Sequence, residues 1–102
     1  VNQAMAYIEE HYAEKLTLQG VADCCYVSQW HLSKLLNRHT GKSFYDILNT
    51  VRIRKAKELL LDPRLKIGEI GERVGYADTA HFARTFKKQE GMSANEYRNT
   101  LK

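Results

Sequence analysis

Residues 16–44 read LTLQGVADCCYVSQWHLSKLLNRHTGKSF, and residues 67–94 read IGEIGERVGYADTAHFARTFKKQEGMSA. The second stretch repeats the first in altered form. At an offset of 49, Leu18, Val21, Ala22, Asp23 and Cys25 match Ile67, Ile70, Gly71, Glu72 and Val74. At an offset of 50, Ser28, His31, Leu32, Lys34, Leu36, Gly41 and Ser43 match Asp78, His81, Phe82, Arg84, Phe86, Gly91 and Ser93. The one-residue change is assigned to Gly75, with Tyr26-Val27 and Tyr76-Ala77 filling the two turns. Each unit is a short apolar-periodic helix, a tight turn and a longer capped helix, the outline of a helix-turn-helix. Ala22 and Gly71 are small, which lets the second helix of each unit cross the first closely.

Working outward, no segment alternates with period two, and helical spacing recurs throughout. Ala4, Met5, Ile8 and Tyr12 predict a first helix over residues 2–13. Thr17, Ser28, Ser43 and Asp78 are N-cap residue types, and Gly41 and Gly91 are suited to a left-handed C-terminal stop. Ser93-Ala94-Asn95-Glu96 has capping-box spacing before a last helix carrying Tyr97 and Leu101. Between the repeats, Phe44, Ile47, Leu48, Val51, Ala56, Leu59 and Leu60 mark the buried side of a long fourth helix that Asp62-Pro63 ends. The prediction is an all-α fold of seven helices within one domain, residues 1–102. It has a first helix-turn-helix lobe over 1–42, a linker helix over 43–61 and a second lobe over 62–102. A 19-residue linker would be ~28 Å long at 1.5 Å per residue. Neighbouring major-groove windows lie ~34 Å apart on one face of DNA. The shortfall predicts bent DNA or one half-engaged unit.

Of 102 residues, 16 are Lys or Arg and 12 Asp or Glu, a net charge of +4 and a pI near 9.1. The charge is uneven, with −3 over residues 1–27 and +7 over residues 28–102. A basic excess confined to part of a small domain points to a polyanionic partner. No apolar run approaches the ~18 residues of a membrane span, so no membrane partner is expected. The beginning of the chain, with Glu9 and Glu10, lacks the pattern of a signal peptide. Cys24 and Cys25 are adjacent and cannot bridge normally within a helix, so a reducing, cytoplasmic location is expected.

Catalysis is not expected. The chain has no Gly-rich phosphate loop, no Ser/His/Asp arrangement and no paired carboxylates. Helical phase puts Cys25 in the core beside Val21, and Cys24 has no activating base. His11, His31, His39 and His81 are scattered, and none pairs at ligand spacing, so neither metal nor cofactor is expected. His31 and His81 share one register of the repeat, which suggests a common packing or phosphate role. A protein-interaction module is the remaining rival, and steep salt dependence of DNA binding would exclude it.

The outward positions of the two longer repeat helices are the candidate binding residues. On the third helix these are Gln29, Trp30, Ser33 and Lys34. Gln can pair with adenine, Lys can meet guanine acceptors, and Trp can lie against a thymine methyl. Trp30 has a second reading, as a cap on the core. Asn37, Arg38 and Lys42 are better placed for phosphate. On the sixth helix the set is Thr79, Ala80, Ala83 and Arg84, with Lys87 and Lys88 for phosphate. Arg84 is the strongest base reader there, because its forked donors match guanine O6 and N7.

These stretches, with RIRKAKELL at residues 52–60 between them and IGEIGERVGYADTAHFARTFKKQEGMSANEYR at residues 67–98, resemble the DNA-binding domain of AraC/XylS-type transcription regulators. The resemblance covers nearly the whole chain. It implies a two-lobed bacterial domain that inserts helices 3 and 6 into adjacent major grooves of double-stranded DNA. It places base contacts at Trp30, Ser33, Lys34, Thr79, Ala80, Ala83 and Arg84. The stretch YVSQWHLSKLLNRHTGKSF closely resembles the two-component response-regulator branch, which implies a sensor or receiver domain N-terminal to this one. Contact with RNA polymerase is a further implication. The chain departs from the family where Ala94 replaces a frequent Pro and Gly71 replaces the usual Ala. Gly20 and Gly68 add flexibility. Each interior Gly costs roughly 1 kcal/mol against Ala, so lobes of modest stability are expected.

Overall fold

A computed structural model describes residues 2–101. The elements among them are seven helices: α1 (Asn2–His11), α2 (Leu18–Cys24), α3 (Gln29–Thr40), α4 (Phe44–Leu59), α5 (Ile67–Arg73), α6 (Thr79–Glu90) and α7 (Ala94–Thr100). The chain divides into two compact units, Val1–Val51 and Arg52–Lys102. The division falls inside α4, so the linker helix expected at 43–61 is shared between the units. It is also shorter than expected, at 16 residues. Its end tightens where the Leu61 amide donates to the Glu58 carbonyl at 3.2 Å. The first helix is shorter as well, ending at His11, where the Glu14 amide donates to the His11 carbonyl at 3.0 Å.

The first unit is built around Ala4 and Ile8 of α1, Val21 and Ala22 of α2, Leu32 and Leu36 of α3, and Phe44, Ile47, Leu48 and Val51 of α4. Cys25 and Val27 are half-buried against this core. The second unit buries Ile53, Ala56 and Leu60, Ile70 and Val74, Tyr76, Phe82 and Phe86, and Ala94. Phe82 and Phe86 meet edge-on with ring centroids 5.9 Å apart. Fully burying such a ring stabilises by about 1.5–3 kcal/mol. The single apolar stripe expected along α4 is two stripes, one for each unit. Val51 and Ile53 are both buried, yet residues two apart lie ~200° apart around a helix. That is why Ile53 falls outside a one-stripe reading and why Leu59 is only half-buried.

The caps follow the residue types. Thr17 Oγ accepts from the Gly20 amide at 3.0 Å, Ser28 Oγ from His31 at 3.0 Å, Ser43 Oγ from Asp46 at 3.2 Å and the Asp78 carboxylate from Ala80 at 2.9 Å. Gly41 and Gly91 adopt φ of 73° and 79° and end α3 and α6 in left-handed turns. Ser93 and Glu96 form the reciprocal box that starts α7, at 3.1 and 3.0 Å. No Pro is needed at Ala94 for this start, since the box satisfies two of the free amides.

The turns of the two repeats close alike, and they correct the sequence alignment. Val27 N–H donates to the Ala22 carbonyl and Tyr26 N–H to Asp23, at 3.1 and 3.2 Å. In the second unit Tyr76 N–H donates to Gly71 and Gly75 N–H to Glu72, at 2.9 and 3.1 Å. Both pairs are the hydrogen bonds of a Schellman stop. Tyr26 therefore corresponds to Gly75, Val27 to Tyr76, and the extra residue is Ala77 rather than Gly75. Tyr26 and Tyr76 share residue type and not position in the turn. Their environments are opposite, with Tyr26 92% exposed and Tyr76 buried.

Candidate nucleic-acid interface

The Ser28 cap and the Gly41 stop define α3, and Leu32 and Leu36 fix which face it buries. The opposite face is then set by helical phase. Gln29, Trp30, Ser33, Lys34, Asn37 and Arg38 are all exposed, as is Lys42 beyond the stop. Ser33, Lys34, Asn37 and Arg38 line one shallow, open depression. Trp30 is 67% exposed, which removes the reading of it as a cap on the core. The Lys34 ammonium lies 4.4 Å from the centroid of its ring, one helical turn on. The Lys42 ammonium reaches Thr50 Oγ at 3.5 Å. The first unit thus presents a face with one stacked cation, one guanidinium and two neutral amides, suited to an anionic, hydrogen-bonding partner.

In the second unit, Phe82 and Phe86 fix the buried face of α6 in the same way. Thr79, Ala80, Ala83, Arg84, Lys87 and Lys88 are all exposed. Lys87 is close enough to Glu96 for its charge to help hold that carboxyl below the usual glutamate range, after the Ser93 amide and hydroxyl. Ala80 and Ala83 leave Arg84 as the forked donor of this face.

The supporting residues include several that local sequence patterns did not reveal. Arg52 is buried, with its guanidinium 5.3 Å from the Tyr76 ring centroid, and burial holds it below the usual arginine range. Burial pushes the Tyr76 phenol up to about 12, against the opposing pulls of Arg52 and a hydrogen bond shared with Thr85. The Arg98 guanidinium donates to the carbonyls of Leu60 and Asp62 at 3.3 and 3.1 Å, closing the end of α4. The two Arg98 contacts span 38 and 36 residues, so no local pattern announces them. His31 and His81 stand at the same register, with different residues at the turn beside them. His81 packs edge-on against Tyr76 with centroids 5.1 Å apart, whereas position 27, the equivalent of Tyr76, is a valine.

Both cysteines are free, Cys24 exposed and Cys25 half-buried. Among the described residues, no three of His, Cys, Asp and Glu gather as a metal site would, and no helix is long and apolar enough to cross a membrane.

Two units with this turn geometry define a duplicated helix-turn-helix protein. Residues 21–100 match a family model described as a helix-turn-helix domain. The chain belongs to that family, in its AraC/XylS-type branch. It is 35% identical over 98 residues to the HTH-type transcriptional activator RhaS of Enterobacter sp. (strain 638), covering 96% of this chain and 35% of RhaS. Among solved structures, the C-terminal domain of AraT, a response regulator from Geobacillus stearothermophilus, is 43% identical with a TM-score of 0.92. The alignment covers 97% of this chain and 83% of that one. The C-terminal domain of the two-component response regulator yesN from Fusobacterium nucleatum is 35% identical with a TM-score of 0.88, covering 95% of each chain. The chain spans only a third to a half of the length of the curated relatives it matches.

Proposed function

We propose that this chain is the sequence-specific double-stranded DNA-binding part of a bacterial transcription regulator and performs no catalysis. Helices α3 and α6 each enter a major groove, and the two grooves are adjacent. Gln29, Trp30, Ser33 and Lys34 read bases from α3, and Thr79, Ala80, Ala83 and Arg84 read them from α6. Asn37, Arg38, Lys42, Lys87 and Lys88 hold phosphates and fix the register. The observation that carries this reading is the matched pair of exposed faces. On equivalent helices of two repeated units, all the residues of both sets point to solvent, while Leu32, Leu36, Phe82 and Phe86 are buried. The names of RhaS, AraT and yesN support it.

The mechanism is direct readout. A lysine or arginine reaching guanine O6 and N7 discriminates by about 1–3 kcal/mol when both bonds form, and by less with one. Selecting duplexes from a random pool gives the preferred site. Lys34→Ala and Arg84→Ala are each expected to relax preference at one position of it. An Arg84→Ala protein with unchanged selectivity would remove Arg84 from the base-reading set. The regulator acts in the cytoplasm, and a further N-terminal sensor or receiver domain supplies its signal. RNA polymerase is the partner of the DNA-bound form. The fractional coverage of the relatives is what supports a longer protein.

A further inference from the structure

The turn of the first unit holds a residue that the groove-reading set leaves unused. Tyr26 adopts φ 59°, the left-handed region that disfavours most side chains with a Cβ, Asn and Asp being the usual exceptions. The second unit has Gly75 at the same point of the turn, at φ 108°, where no Cβ is present. Burial of the ring does not offset this strain, because Tyr26 is 92% exposed. A strained backbone that presents a fully exposed aromatic group calls for a use outside the folded chain.

Its place in the fold narrows that use. Tyr26 lies two residues before the Ser28 cap and four before Trp30, at the N-terminal end of α3. A recognition helix meets base edges with its N-terminal residues, while groups flanking it meet the sugar-phosphate strand. A phenol is a neutral hydrogen-bond donor on a stiff apolar body, able to reach a phosphate oxygen at the groove edge. We propose that Tyr26 is a phosphate contact peculiar to the first unit, its hydroxyl donating to a backbone phosphate of the DNA. The second unit, with Gly75, has no counterpart, so the two units grip DNA unequally. The inference rests on the reading of α3 as a groove helix.

The test uses the whole chain and a duplex selected by it from a random pool, with Tyr26→Phe, Tyr26→Asn and Tyr26→Gly. Tyr26→Phe removes only the hydroxyl, so its result does not depend on the stability of the turn. Asn and Gly tolerate the left-handed backbone and are expected to melt no lower than the parent. All three variants are expected to bind roughly 10–150-fold more weakly, the effect of one hydrogen bond to a charged acceptor. Their base preferences are expected to stay unchanged. The slope of log affinity against log salt is expected to stay unchanged too, because a neutral donor displaces no counterion. Parental affinity in Tyr26→Phe overturns the proposal, and so does a changed base preference at one position. If the parent chain itself binds no selected duplex, the reading of α3 fails. If the parent binds and the variants bind equally well, only the role of Tyr26 fails.

Discussion

A methyl group added at Gly71 would lie 2.9 Å from Phe82 Cδ2 and 3.0 Å from Cγ, distances that force the ring to move. Glycine at this point of the second unit is therefore fitted to a large partner. The equivalent positions in the first unit are Ala22 and Leu32, a larger residue facing a smaller one. By helix propensity alone Gly71 is a weakness, since glycine inside a helix costs about 1 kcal/mol against alanine. Overpacking costs about 1–3 kcal/mol, so Gly71→Ala is expected to destabilise the second unit on balance. Urea unfolding measures this. Adding Phe82→Leu to Gly71→Ala recreates the pairing of the first unit and is expected to recover part of the loss. A Gly71→Ala protein as stable as the parent would show that Phe82 shifts freely. That Gly71 is small was legible in the chain; that it had to be smaller than alanine depended on the ring opposite.

Among the elements, starts and stops were the most legible features, because they depend on residues within a few positions of each other. Thr17, Ser28, Ser43, Asp78 and the Ser93–Glu96 box all cap as their types demand. Ser28→Ala removes the hydroxyl that accepts from His31 and is expected to cost about 1 kcal/mol, measured as a lower unfolding midpoint. Base preference would then weaken with the order of the first turn of α3. At the other end of the chain, the Glu96 carboxyl is held below the usual glutamate range, first by the Ser93 amide and then by the Ser93 hydroxyl. A lowered folded-state value means stability that is present above the unfolded glutamate range and is lost as pH falls through the folded value. The start of α7 is thus expected to fray in acid before α3, whose Ser28 cap does not titrate. Amide exchange across residues 94–98 against pH would show it, and uniform protection down to the lowest pH would contradict it. The end of α4 was read less well. Asp62-Pro63 fixes where a helix cannot continue, but the guanidinium of Arg98 and the tightened turn at Leu61 decide where this one ends.

For the whole molecule, the decisive quantity is how its charge acts on a polyanion. The basic excess lies in residues 28–102, at +7, and the proposed phosphate contacts include four cations, Arg38, Lys42, Lys87 and Lys88. Each neutralised phosphate contributes about −0.9 to the slope of log affinity against log salt, so a slope of about −4 is expected. Lys87→Ala is expected to weaken all duplexes alike and to reduce the magnitude of the slope by about 1. A slope near zero would favour a protein partner over DNA. The two units have separate cores, one from Ala4 to Val51 and one from Ile53 to Ala94. Substitutions in one core are therefore expected to lower the protection of their own unit first.

The sequence by itself determined the all-α class, the duplicated helix-turn-helix, the caps and which faces of α3 and α6 meet water. These follow from helical period and from hydrogen bonds between near neighbours, which any chain carrying these residues would form. Only the tertiary structure decided that Tyr26 answers to Gly75 and that α4 carries two stripes. It alone showed that Gly71 must yield to Phe82, that Arg52 lies buried over Tyr76, and that Arg98 closes a helix 36 residues away. Those outcomes depend on which distant side chain fills a given space, and spacing along the chain carries no record of that.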